Sequence, residues 1–222
     1  MAEQLSLYKY SGKLDNTVGN RWKANRAITK FWAPRKKKSV SEMPDYMQRQ
    51  ICKFSALASL AVAFTPVIAE GLKTYAKGGR ISVNNAFSKL NKVAISAEFG
   101  TGGYTARVDW SKLVLTQGRL PMVLFSQADF STPQTVKVSF GSASGVYGAS
   151  EDDKVYVAVY CPTVGGIVVS RPVTRDAGEL RVTLPDDWNG LEVKVWGWAV
   201  GGDVENMGRY SETTFLGSGT VN

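Results

Sequence analysis

The 222 residues include no histidine, and that absence sets the limits on chemistry. It removes Ser-His-Asp and Cys-His nucleophilic arrangements, His-ligated metals and the commonest general base. Any catalysis would fall to carboxylates, lysine or tyrosine. Two acidic clusters have a suitable residue type: Glu151, Asp152 and Asp153, and the pair Asp186 and Asp187 ahead of Trp188, Asn189 and Gly190. Either could be half of a glycosidase pair or supply oxygen ligands to calcium. Neither has the alternating DxDxDG spacing of an EF-hand loop, and both suit solvated turns that cap hairpins. The glycines of FGTGGY, Gly100, Gly102 and Gly103, lack the lysine and the strand-to-helix setting of a phosphate cradle and read as a turn. Cys52 and Cys161 stand over a hundred positions apart without CxxC spacing, so two free thiols are expected rather than a disulfide or metal site. No catalytic residue, metal or cofactor is predicted.

Charge is more informative. The net +8 arises wholly in the first quarter: Met1 to Lys53 holds twelve Lys or Arg against four Asp or Glu, and the remainder holds fifteen of each. So uneven a distribution reads as a basic arm that meets something acidic, attached to a neutral body. Within it Arg21, Lys23, Arg26 and Lys30 interleave with Trp22, Phe31 and Trp32 before the run Arg35, Lys36, Lys37 and Lys38. Cations neutralise phosphates, and aromatic faces stack on bases or wedge into a neighbouring subunit. Folding back onto the arm's own domain is the alternative. Trp196 and Trp198 form a second candidate interface, either a sugar-stacking or subunit hot spot or a surface covered by a helix. Helix or subunit packing is preferred, because two exposed tryptophans would be adhesive.

The elements that hold these residues follow from periodicity. Residues 1–40 form the basic arm. From 41 to 78, Met47, Ile51, Phe54, Leu57, Ala61, Phe64, Ile68, Leu72 and Tyr75 recur every three or four residues, which predicts a helix kinked or split near Pro66. Its apolar stretch, Phe54 to Ala69, is shorter than the roughly 20 residues of a spanning helix, so no membrane span is expected. The opening residues lack the apolar run of a secretory signal. Residues 79–120 are a connector with two strands, and 121–222 a C-terminal β-sandwich. Strands are predicted at Lys92 to Phe99, Ala106 to Thr116, Gln134 to Phe140, Lys154 to Cys161, Gly166 to Arg171, Glu179 to Leu184, Leu191 to Ala199 and Arg209 to Phe215. Their alternation predicts one buried face per sheet, with Lys137, Tyr156, Tyr160, Arg181, Glu192 and Lys194 opposite. The expected fold is mainly β, an antiparallel immunoglobulin- or fibronectin-like sandwich preceded by a helical segment and the basic arm.

The segments GKLDNTVGNRWKANRAI, NNAFSKLN at Asn84 to Asn91, DWSKLVLTQGRLP at Asp109 to Pro121, DDKVYVAVYCP, LPDDWNG and GRYSETTFLG, in that order, resemble an uncharacterised family of Bacteroidota, domain of unknown function 6266. The resemblance runs over nearly the whole chain. It implies a glycine- and base-rich N-terminal segment, a helix and a sandwich, in mobile or phage-like surroundings, and it brings no activity or catalytic residue. The run Lys36 to Lys38 and the sparser glycines depart from the usual N-terminal segment. Together these expectations rank a structural protein of a virion or similar repeating assembly first, with other copies, other virion proteins and nucleic acid as partners, and the virion or the producing bacterium's cytoplasm as its place. An immunoglobulin-like binding or adhesion module for a glycan or protein comes second, and an enzyme last.

Overall fold

The computed structural model describes the backbone of four strands between residues 2 and 31, and residues 39–142, 146–202 and 208–222 in full. The chain divides into two compact units, Met1–Met43 and Pro44–Asn222.

The first unit contains the segment read as a basic arm, and it carries regular structure. Strands β1 (Ala2–Gln4), β2 (Gly12–Leu14), β3 (Thr17–Trp22) and β4 (Arg26–Phe31) form an antiparallel sheet in the order β1-β4-β3-β2. Thr17, Val18, Ile28 and Thr29 are β-branched residues that favour this extended backbone.

The second unit opens with four helices. α1 (Asp45–Ala63) stops at Phe64, and α2 (Thr65–Gly71) leaves at an angle of 87°. Pro66 lies in the first turn of α2, where its missing N–H would have no intrahelical acceptor, so of the two expected outcomes, kink or split, the helix splits. α3 (Lys73–Gly79) ends in Arg80, whose φ of 51° is left-handed. α4 (Val83–Asn91) was absent from the sequence expectations. The Ser82 hydroxyl caps it by accepting from the Asn85 N–H at 3.2 Å, and Ala86 and Phe87 are buried. The helical line from Met47 to Tyr75 also divides: Leu57, Ala61, Phe64, Ile68 and Leu72 are buried, while Met47, Ile51 and Phe54 are exposed.

Two strands follow as the hairpin β5 (Ile95–Gly100) and β6 (Gly103–Val108), turning through the glycines of FGTGGY; Gly103 has a φ of 111° that favours glycine. The predicted strand to Thr116 stops early. After Asp109 a 3-10 turn, Trp110–Lys112, intervenes, and side chains then satisfy the backbone. Asn91 Oδ1 accepts from the Val114 N–H at 2.7 Å, and Thr213 Oγ1 accepts from the N–H groups of Leu115 and Thr116 at 3.1 and 2.6 Å. Leu113 and Leu115 are thereby fixed in the core without a strand partner.

The body is organised around a five-stranded antiparallel sheet. Its path is β10 (Val173–Thr174), β8 (Lys154–Cys161), β12 (Glu192–Val200) and β13 (Thr214–Thr220), with β9 (Gly166–Val169) pairing the far end of β8. β7 (Thr135–Ser139) and β11 (Glu179–Thr183) form a separate antiparallel pair. The last predicted strand is displaced from Arg209–Phe215 to Thr214–Thr220 because Gly217 and Gly219 interrupt the apolar alternation. Gly219 is needed for fit: a Cβ there would lie 2.4 Å from the Phe130 ring.

Both faces of the five-stranded sheet are buried, which corrects the expectation of one. Val155, Val157, Val159, Val193 and Val195 pack toward Val136, Val138, Leu180 and Val182 of β7 and β11. Ala158, Tyr160, Trp196 and Trp198 pack against Leu57, Leu60, Phe64 and Ile68 of the helices. Tyr160 and Lys194, expected on a solvated face, are 7% and 8% exposed; Tyr160 packs under the helical layer, and Lys194 lies beside the β5–β6 hairpin and the 3-10 turn. The described residues thus form several antiparallel sheets and four α-helices.

Candidate functional site

The residues singled out in the basic segment fall on and around the β3–β4 hairpin. Arg21 and Trp22 lie in β3 and Arg26 and Lys30 in β4, where Trp22 pairs with Arg26 and Val18 with Lys30. The antiparallel register therefore brings one aromatic and two of the cations to neighbouring backbone positions across one hairpin. Lys23, Trp32, Arg35, Lys36, Lys37 and Lys38 lie outside the described residues.

Trp196 and Trp198 are 0% and 4% exposed. The Trp196 ring meets Phe64 edge-on at 5.4 Å, Phe215 at 5.5 Å and Trp110 at 6.2 Å, and Trp198 stacks on Tyr156 at 5.7 Å. These contacts are internal to the second unit, so neither ring offers a face to a sugar or a second subunit. Of the preferred pair of readings, helix or subunit packing, the contacts are those of packing under the chain's own helices. Burial also raises the Tyr160 phenol above its ordinary range.

The acidic turns have different fates. Glu151, Asp152, Asp186 and Asp187 are exposed, but Asp153 is fully buried. Its Oδ2 accepts from the Ser150 N–H at 3.0 Å and faces the Arg175 guanidinium at 3.4 Å, and Arg175, 1% exposed, donates to the Met122 carbonyl at 2.8 Å. This pair ties the turn before β8, the turn after β10 and the segment before β7 to one point. It is an internal clamp with no access for substrate. Cys161 is buried, and Cys52, half-buried, donates to the Tyr104 carbonyl at 3.4 Å. Among the described residues no three Cys, Asp or Glu side chains gather to hold a metal.

One concavity brings chemistry together that the sequence did not reveal. A cleft of about 570 Å³ opens between the β5–β6 hairpin, the 3-10 turn and the β12–β13 edge. Trp110 and Phe215 supply aromatic surface, and Arg107, Lys112 and Lys194 supply cations. Each cation already holds a carboxylate: Arg107 to Glu98 at 3.2 Å, Lys112 to Asp109 at 2.7 Å, and Lys194 to Glu192. The Lys112 ammonium, with the Ser111 hydroxyl at 2.6 Å, holds the Asp109 carboxyl below the usual range. The Asp109 carboxylate is thus engaged by both the Ser111 hydroxyl and the Lys112 ammonium. Its volume is within the range of small-ligand sites, and its lining is mixed and open to solvent, with charged pairs beside the two aromatic rings. The residues come from five separate elements, and no local motif encodes their meeting.

The order of segments that folds into these elements is that of a known group: a family model for a family of unknown function, DUF6266, matches residues 9–213. The chain belongs to this family. The match takes in β3 and β4, all four helices, the cleft residues from Glu98 to Lys194 and the Asp153–Arg175 clamp, and stops one residue before β13. No curated protein matches the chain.

Proposed function

We propose that this member of DUF6266 is the structural subunit of a repeating assembly, such as the shell or decoration of a virion, and not an enzyme. Its β-rich body packs among copies, and its basic N-terminal unit meets nucleic acid or a neighbouring subunit. The observation that carries this reading is the segregation of charge, twelve cations and four anions up to Lys53 against fifteen of each beyond it. A neutral body tolerates close packing of many copies, while a concentrated cationic unit neutralises a polyanion. An immunoglobulin-like sandwich, formed by the five-stranded sheet with β7 and β11, is the architecture proposed for the body.

The test is binding of a single-stranded oligonucleotide to the full chain as a function of salt. If five to eight cations touch phosphates, the log of affinity falls against log salt with a slope of about −3.5 to −5.6. A slope near zero would remove nucleic acid as the partner.

The cleft supports a second reading, a binding module for a glycan or protein. In that case reversing its rim, Arg107→Glu with Lys112→Glu, abolishes ligand binding on a glycan array or to a protein ligand and leaves oligonucleotide affinity intact.

A further inference from the structure

α1 carries two apolar faces. Leu57, Leu60, Ala61 and Phe64 turn inward, and beside them Met47, Ile51, Phe54, Ala58 and Val62 fall within about 80° of one another around the helix and face outward. Phe54 is 64% exposed and Val62 71%. Their spacing of four, three, four and four residues is close to that of a helix–helix seam, and packing within the second unit leaves it uncovered.

We propose that this stripe is a two-fold interface that pairs α1 antiparallel with α1 of a second copy. The stripe is self-complementary about its midpoint, between Phe54 and Ser55. Across such an axis Met47 meets Val62 of the other copy and Ile51 meets Ala58, a large residue opposite a smaller one in each case. Phe54 lies beside the small Ser55. An isologous contact requires this symmetry of a single surface. The charges of α1 also favour a second copy over a lipid surface. Arg49 and Lys53 lie toward the opposite and inward sides of the helix, and the outer stripe is bordered by Gln48, Ser55 and Ser59. An interfacial membrane helix is rich in Lys and Arg on its polar face, whereas α1 has only these two, Arg49 being paired with Asp45 and Lys53 lying toward the inward side. The exposed side chains of the stripe amount to roughly 500 Å² per copy, so about 1,000 Å² in a pair, at the low end for a specific interface. The dimer is therefore concentration-dependent. The inference concerns a surface distinct from the basic unit and does not rest on nucleic-acid binding.

Sedimentation equilibrium of the nuclease-treated full chain in high salt, where larger particles have dispersed, tests it. The expected result is a reversible rise from 24.1 kDa to twice that mass with concentration, abolished by Phe54→Glu, whose exposed position leaves the thermal transition of the monomer in place. In a Cys52→Ser background, Ser55→Cys crosslinks to itself under mild oxidation and Val62→Cys does not, because an antiparallel pair holds the two copies of position 62 about 22 Å apart along the axis. Crosslinking of both variants would overturn the antiparallel arrangement. A mass of 24.1 kDa at every concentration would overturn the pairing. If in addition phosphatidylserine vesicles float the wild type and not Phe54→Glu, the stripe belongs to a lipid surface. A wild-type dimer with a flat salt profile for oligonucleotide would leave this inference standing and remove nucleic acid as the partner; the converse pair of results would do the reverse.

Discussion

Asp153 and Arg175 show how a residue's environment decides its role. The sequence places Asp153 in an acidic turn, and turn carboxylates are normally solvated. The fold instead buries it against a guanidinium with 1% exposure. Two desolvated charges add little net stability as a pair, but removing one leaves the other uncompensated. Asp153→Asn or Arg175→Met is therefore expected to cost about 3–5 kcal/mol in urea unfolding, and joint replacement by Leu and Met to cost less than the sum. Equal additive losses would show that the two charges do not act as a pair. The solvent-accessible carboxylates, half-buried Glu179 and exposed Asp129, behave differently. The Lys137 ammonium, with Arg181, holds Glu179 below its ordinary range, and the Ser131 N–H does the same for Asp129. A depressed folded-state pKa contributes stability above the unfolded value that is lost as pH falls through the folded one. Stability is thus expected to decline as pH falls below about 4, and Lys137→Ala to flatten that decline when unfolding is followed from pH 6 to pH 2.

At the scale of elements, the interface between α1–α2 and the five-stranded sheet concentrates the aromatic packing. Phe64, where the helices break, meets Tyr160 at 4.8 Å and Phe87 at 6.4 Å as well as Trp196. Phe64→Ala should cost about 3–5 kcal/mol in urea unfolding, and Leu124→Ala, at a site 78% exposed, no more than about 0.5 kcal/mol. Comparable losses at the two positions would argue against a core on this face of the sheet. Gly118 is a second such point, because a Cβ there would lie 2.0 Å from the Tyr210 carbonyl oxygen. Much of this level was legible in the sequence. β8 coincides with its predicted span, β7, β9, β11 and β12 lie within a few residues of theirs, and Pro66 marks the helix break. What escaped has physical causes. α4 is nine residues long with a short apolar face, and its Ser82 cap is the signal that would have found it. Glycines 217 and 219 hid the alternation of β13. The second buried face of the sheet was missed because Tyr160 and Lys194 are amphipathic, and their types do not reveal whether another layer lies against them.

At the scale of the whole molecule, the candidate sites divide by how local their signal is. Charge segregation is a property of sequence order and was fully visible there. The cleft is assembled from residues between Val93 and Ser218 and emerges only on folding. The outward stripe of α1 was visible as helical periodicity, but the same spacing served an inward face one step around the helix. An assembly subunit with a basic unit and a neutral body makes one demand that neither a catalyst nor a monomeric binding module makes: it forms larger particles whose nucleic-acid content depends on salt. Analytical ultracentrifugation of the nuclease-treated full chain at low and high salt, with absorbance recorded at 260 and 280 nm, tests that demand most directly. Discrete particles far larger than a pair of 24.1 kDa chains, with excess 260 nm absorbance, are expected at low salt, and they disperse as salt rises. A distribution that never exceeds the pair, without 260 nm excess at any salt, would contradict this expectation.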